Sequence, residues 1–250
     1  MKLIQTLLFV LLLSHTASSQ STKKASTPLQ VTSKGNKIID TFEDDSLGAL
    51  PEEWYNRDGE IKPAENPQKA KMYRYYITED MGNKYLKYEG VEAHHLNFPL
   101  INRPNVNIYE TPILTWKWKV EKLPEGANER DDDYNDTAAS IYVVFDLGHV
   151  LFKKVPKSIR YTWSSTLEKG TELSKFYGNQ KIIVVESGPK QEGKWLTFQR
   201  NIVKDYKRLF GDDPPKTPLA ILILSDSDNT KSGVIAGYDD IMLKRKRKDK

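Results

Sequence analysis

The chain has 250 residues, 38 of them Lys or Arg and 34 Asp or Glu, and it has no cysteine. Disulfide frameworks, thiol nucleophiles and cysteine-ligated zinc are therefore excluded. The net charge of +4 belongs to the ends, because residues 244–250 are all basic except Asp249, so the body is slightly acidic and nucleic-acid binding is not expected.

Residues 1–19 read as a signal peptide, with Lys2, an apolar stretch at 4–13 and the small residues Ala17-Ser18-Ser19. That stretch is shorter than the ~20 residues of a membrane span. A secreted or periplasmic protein is expected, with no lipid-anchor cysteine and no stable membrane insertion after signal removal. Residues 20–36 are rich in Ser, Thr and Lys and read as a flexible leader. A single domain is expected at 37–243 and a basic disordered tail at 244–250.

Within the domain the pattern is β nearly throughout. Strands are expected at 38–42, 72–78 and 84–89, the last two separated by the turn signal Met81-Gly82-Asn83. Residues 112–120 alternate most clearly: Leu114, Trp116, Trp118 and Val120 share one face, and Thr115, Lys117 and Lys119 the other. Residues 137–146 are apolar on both faces, as in a central strand. At 158–165, Ile159, Tyr161 and Trp163 oppose Arg160 and Thr162, which marks the latter pair and Tyr142 as a wet face. Further strands are expected at 180–186, 194–200, 219–224 and 233–243. Residues 201–210 change to helical spacing (Ile202, Tyr206, Leu209, Phe210) and Gly211 stops the run. The fold expected is all-β, a jelly-roll-like two-sheet sandwich with one short helix near 201–210. Parallel βαβ units are excluded by the shortage of crossover helices.

Seven pieces in order carry a resemblance. They are LTWKWKV at 114–120, the acidic lead into a strand at 131–145, Tyr161-Thr162-Trp163, Trp195, the run from Arg200 through Asp205-Tyr206 to Phe210-Gly211, the turn Ser225-Asp226-Ser227-Asp228-Asn229-Thr230, and Tyr238-Asp239-Asp240-Ile241. In this order the chain resembles a bacterial family known as domain of unknown function 3047. It departs from the expected Arg-Asp by having Arg200-Asn201. The opening Phe42-Glu43, the Gly48, Pro51 and Trp54 turn, and the closing Asp-Asp-Ile strand also resemble jelly-roll carbohydrate-binding modules. That resemblance implies a structural calcium joining the first and last strands, for which Glu43, Asp45 and Asp240 are the candidates. The Asp226, Asp228 and Asn229 turn offers a second set of alternating oxygens.

Three functions follow as alternatives. The first is an exported protein that binds carbohydrate without catalysis of its own, using Tyr142, Arg160 and Thr162 on the strands and Tyr134 and Trp54 from loops, since sugars need aromatic faces beside fixed polar groups. The second is a polysaccharide-acting hydrolase using Asp132, Asp133, Asp136, Asp226 and Asp228, with Arg200 as an anion clamp. The third is a structural or interaction domain of the cell envelope. Zinc is poorly served, because adjacent His94 and His95 point to opposite faces of a strand. Neither a G-x-S-x-G elbow nor a phosphate-binding loop occurs.

Overall fold

The computed structural model describes residues 27–56, 62–150 and 153–246, with the side chains of 146–150 and 153–155 left aside. The expected signal peptide and the end of the basic tail lie outside the described residues. Two six-stranded sheets pack face to face as a jelly-roll-like β-sandwich. Sheet I runs in the order β10 (Trp195–Asn201), β5 (Ile113–Lys122), β12 (Val234–Lys244), β3 (Asn83–Gly90) and β2 (Tyr75–Asp80), with β1 (Lys37–Asp40) paired to one end of β12. Sheet II runs β4 (His94–Pro99), β11 (Ala220–Asp226), β6 (Thr137–Val150), β7 (Lys153–Ser164), β9 (Gln180–Ser187) and β8 (Glu172–Lys175). Among the described residues, no helix is long and apolar enough to cross a membrane.

The period-2 pattern decides which faces meet. Leu114, Trp116, Trp118 and Val120 of β5 are buried with Ile141, Val143 and Phe145 of β6 and Ile159, Tyr161 and Trp163 of β7. Trp116 stacks on Tyr161 at 5.5 Å between ring centroids and so bridges the two sheets. Burying such side chains contributes on the order of 1.5–3 kcal/mol each. Helix α2 (Ile202–Phe210) closes one end of the sandwich. Tyr206 packs edge-on against Phe145 at 4.6 Å, and the Asp205 carboxylate accepts from the Tyr161 hydroxyl at 2.9 Å.

Four features differ from the expectation. The ordered chain begins before residue 37: Leu29 is buried and exchanges two hydrogen bonds with the Asn105 amide, at 2.9 and 2.7 Å, so 27–36 belongs to the domain and not to a flexible leader. Lys244 lies within β12, and the Arg245 N–H donates to Asn36 Oδ1, so the basic tail starts as strand. Residue 72 ends a second helix, α1 (Pro67–Met72), started by the Asn66 cap and Pro67, and β2 begins only at Tyr75. Finally, β7 and β9 pair in parallel, and their connection is made through the edge strand β8 in place of a helix.

Candidate functional site

The site is built on the face of sheet II that points away from the core. Register sets Tyr142 of β6 opposite Leu222 of β11 and Arg160 of β7, with Ser140 opposite Leu224 and Thr162 one step along. This face is not wet. Tyr142 and Arg160 are each 2% exposed and Thr162 is fully buried. Tyr142 packs with Leu222 and Leu224 of β11, and the 127–136 loop lays its side chains over Arg160 and Thr162. The fully buried Glu129 carboxylate accepts from Ser164 Oγ at 2.5 Å and Thr162 Oγ1 at 3.4 Å. Thr162 Oγ1 also lies 2.8 Å from Thr137 Oγ1 and accepts from Ser140 Oγ at 2.9 Å. Arg160 donates from Nε to Ser140 Oγ at 2.9 Å and from Nη1 to Asn135 Oδ1 at 3.1 Å, with its guanidinium 5.7 Å from the Tyr142 ring centre. Its Nη2 is buried and has no acceptor among the described residues.

Beside Arg160, at the rim, the loop and the turn after β11 bring three acids together. Carboxylate oxygens of Asp136, Asp226 and Asp228 lie within 4.8 Å of one another. Asp136 is buried and receives the N–H groups of Asn229 at 3.2 Å and Thr230 at 2.7 Å, while Asn229 Nδ2 donates to the Asp132 carbonyl at 3.3 Å. Asp226 Oδ1 accepts from the Asp228 N–H at 3.1 Å. Burial, with Asp228 and Asp136 alongside, pushes the Asp226 carboxyl up to about 8, against the opposing Asp228 N–H bond and Arg160 charge. Asp226 is half-buried and Asp228 exposed, so the rim opens to solvent.

The remaining expected acids go elsewhere. Asp132 forms an exposed ion pair with Lys175, and Asp133 is exposed. Arg200 is no clamp for the rim. It forms a two-point bond with Asp205, at 2.8 and 2.7 Å, on the α2 side of the molecule. Tyr134 stands half-exposed on the loop near the site. Trp54, expected to face ligand, is instead fully buried in the core, 6.2 Å from the Phe42 ring and 5.4 Å from Phe98, and its indole N–H donates to Asp40 at 2.7 Å.

Glu43, Asp45 and Asp240, expected to hold calcium, already have protein partners. The Lys84 ammonium donates to the carbonyls of Glu43 at 3.0 Å and Asp45 at 2.8 Å, which are the kind of oxygens a bound cation would use. Glu43 Oε1 accepts from the Lys84 N–H, Asp45 Oδ1 from the Glu52 N–H, and Asp240 pairs with Lys117 at 2.6 Å. Glu43, Asp44, Asp45, Glu52 and Glu53 line a cavity of about 300 Å³ with Arg103, whose guanidinium is committed to Pro99, Thr27 and Glu53. Glu129 is the residue that sequence reasoning missed. It is one acid in an acid-rich run, and only its burial sets it apart.

Residues 53–242 match the family model of a protein of unknown function, DUF3047. The chain belongs to the DUF3047 family. No curated protein sequence matches it. Solved structures similar to this DUF3047 chain include the family 11 carbohydrate-binding module of the cellulosomal cellulase Lic26A-Cel5E of Clostridium thermocellum. It is 9% identical with a TM-score of 0.41, over 87% of this chain and 99% of that one. The family 30 module of Cel9D-Cel44B from the same organism is 9% identical with a TM-score of 0.38, over 88% and 98%. A module specific for non-crystalline cellulose is 14% identical with a TM-score of 0.36, over 88% and 99%.

Proposed function

We propose that this chain binds carbohydrate at the rim of sheet II, where Arg160, Tyr142 and the Asp136, Asp226 and Asp228 trio meet, and that it does so without catalysis. The observation that carries the reading is Arg160 Nη2, a buried charged donor with no acceptor among the described residues. Leaving such a group unpaired costs on the order of 1–3 kcal/mol or more. A ligand rich in oxygen acceptors removes that cost. A saccharide does this and also brings hydroxyl hydrogens to the carboxylates, because each hydroxyl both donates and accepts. Half-exposed Tyr134 offers an aromatic face at the entrance. The signal-like residues 1–19 support export to where polysaccharides are met.

A hydrolytic reading draws on Asp226, whose raised carboxyl beside two others has the character of a general acid. Against it, both oxygens of Asp136 already receive backbone N–H groups of the turn, which suits an anchor better than a nucleophile. A glycan array followed by affinity electrophoresis on any hit tests the proposal. Retention is expected for the wild type and is expected to fall at least tenfold in Arg160→Met and Asp228→Asn. No hit on the array removes the carbohydrate reading, and unchanged retention in both variants removes this site. Release of reducing sugar from a hit, lost in Asp226→Asn, establishes the hydrolase instead.

A further inference from the structure

We infer that Asp136, Asp226 and Asp228 hold a divalent cation of the calcium type, and that the cation and Arg160 Nη2 together take oxygens of the bound ligand. The cation site stands on its own geometry, and the bridging role rests on the carbohydrate reading.

The donor chemistry selects the ion. The three side chains offer only oxygen, which suits Ca²⁺ or Mg²⁺ and serves zinc poorly. Calcium–oxygen bonds of ~2.3–2.6 Å put oxygens across one ion at up to about 5 Å from each other, and the 4.8 Å limit on these three fits that sphere. Magnesium demands shorter, nearly octahedral bonds. With one oxygen from each carboxylate, three of the ~6–8 positions of calcium are filled, so several remain for outside oxygens. Exposed Asp228 and half-exposed Asp226 leave a route to them from solvent.

Arg160 gives the independent observation. It is 2% exposed, its Nε and Nη1 are fixed by Ser140 and Asn135, and its Nη2 faces no acceptor among the described residues. Asn135 immediately precedes Asp136, so the fixed fork stands beside the trio. A cation alone does not satisfy this donor. It calls for a ligand oxygen next to the acids. A ligand with neighbouring oxygens, such as adjacent hydroxyls of a sugar, can place one on the cation and one on Nη2.

The test is a thermal-shift and calorimetric titration of the full chain with calcium chloride after EDTA treatment. A ligand of the folded state alone must raise the melting temperature as it binds. The expected result is a saturable rise in the wild type, absent in Asp228→Ala and retained in the Glu43→Gln/Asp240→Asn double variant. Asp228 is exposed and its turn bond uses only its backbone N–H, so Asp228→Ala keeps the turn, which a circular dichroism spectrum without calcium checks. No rise at millimolar calcium overturns the cation site. So does a rise that survives in Asp228→Ala or that is lost in the double variant. With a glycan hit in hand, EDTA is expected to weaken retention at least tenfold, and retention indifferent to EDTA overturns the bridging role alone. If no glycan binds while the calcium shift behaves as stated, the carbohydrate reading fails and the cation site stands.

Discussion

A Cβ added at Gly237 would lie 3.0 Å from the Trp195 ring and from two carbons of Tyr85, whose rings meet edge to face at 5.0 Å on the outer side of sheet I. Gly237→Ala is therefore expected to cost about 1–3 kcal/mol as overpacking, read by urea unfolding. Asp40 gives a pH signature. Burial pushes its carboxyl up to about 7, against the bonds from Trp54 and the Phe42 N–H. The raised value means that the folded state holds the proton more tightly than the unfolded chain. This stabilisation is complete below the unfolded value near 3.8 and is lost as pH rises through about 7. Asp239, raised to about 6 chiefly by burial, acts in the same direction. Asp40→Asn is expected to lower the melting temperature at pH 4 and to flatten its decline toward pH 7, measured by scanning calorimetry across that window. Arg200→Met leaves the Asp205 carboxylate with the Tyr161 hydroxyl and a 3.6 Å approach of Arg208. It is expected to lose about 1–3 kcal/mol of stability with no change in ligand retention, which separates it from the rim.

At the scale of elements, α2 explains why the chain tolerates asparagine at residue 201. The Asn201 side chain accepts the Lys204 N–H at 3.0 Å as an N-cap, and Gly211 ends the helix with a φ of 80°. Asparagine and aspartate cap about equally well. Asn201→Asp is thus expected to be near neutral and Asn201→Ala to cost about 1 kcal/mol in chemical denaturation. This helix was legible from its spacing, and β5 from its alternating tryptophans and lysines, because local period reports which face is covered. Coverage by a distant loop leaves no such trace. The Arg160 and Thr162 face reads as wet because its residue types are polar, yet Glu129 and Asn135, about 30 residues away in sequence, bury it. Trp54 reads as a loop aromatic because it follows a turn-rich segment, whereas the chain folds it back onto Phe42 and Phe98. The three acids were each nameable, but Asp136 and Asp228 meet only through the pairing of β6 with β11, which no local pattern records.

For the whole molecule, the position of β12 has a consequence for how the protein is made. This strand is the last of the described strands in sequence, yet it lies between β3 and β5 and also carries β1. On the ribosome, β3 and β5 emerge long before the strand that joins them, so the growing chain carries two unfilled strand edges throughout. Such edges invite pairing with other chains, and contacts this distant in sequence form slowly. Chains stalled before Val234 are expected to remain fully protease-sensitive, and chains stalled with residue 244 clear of the exit tunnel to become resistant. Protection well before Val234 emerges would mean that the sandwich assembles without its central strand. The timing of folding in this protein is thereby set by the emergence of β12.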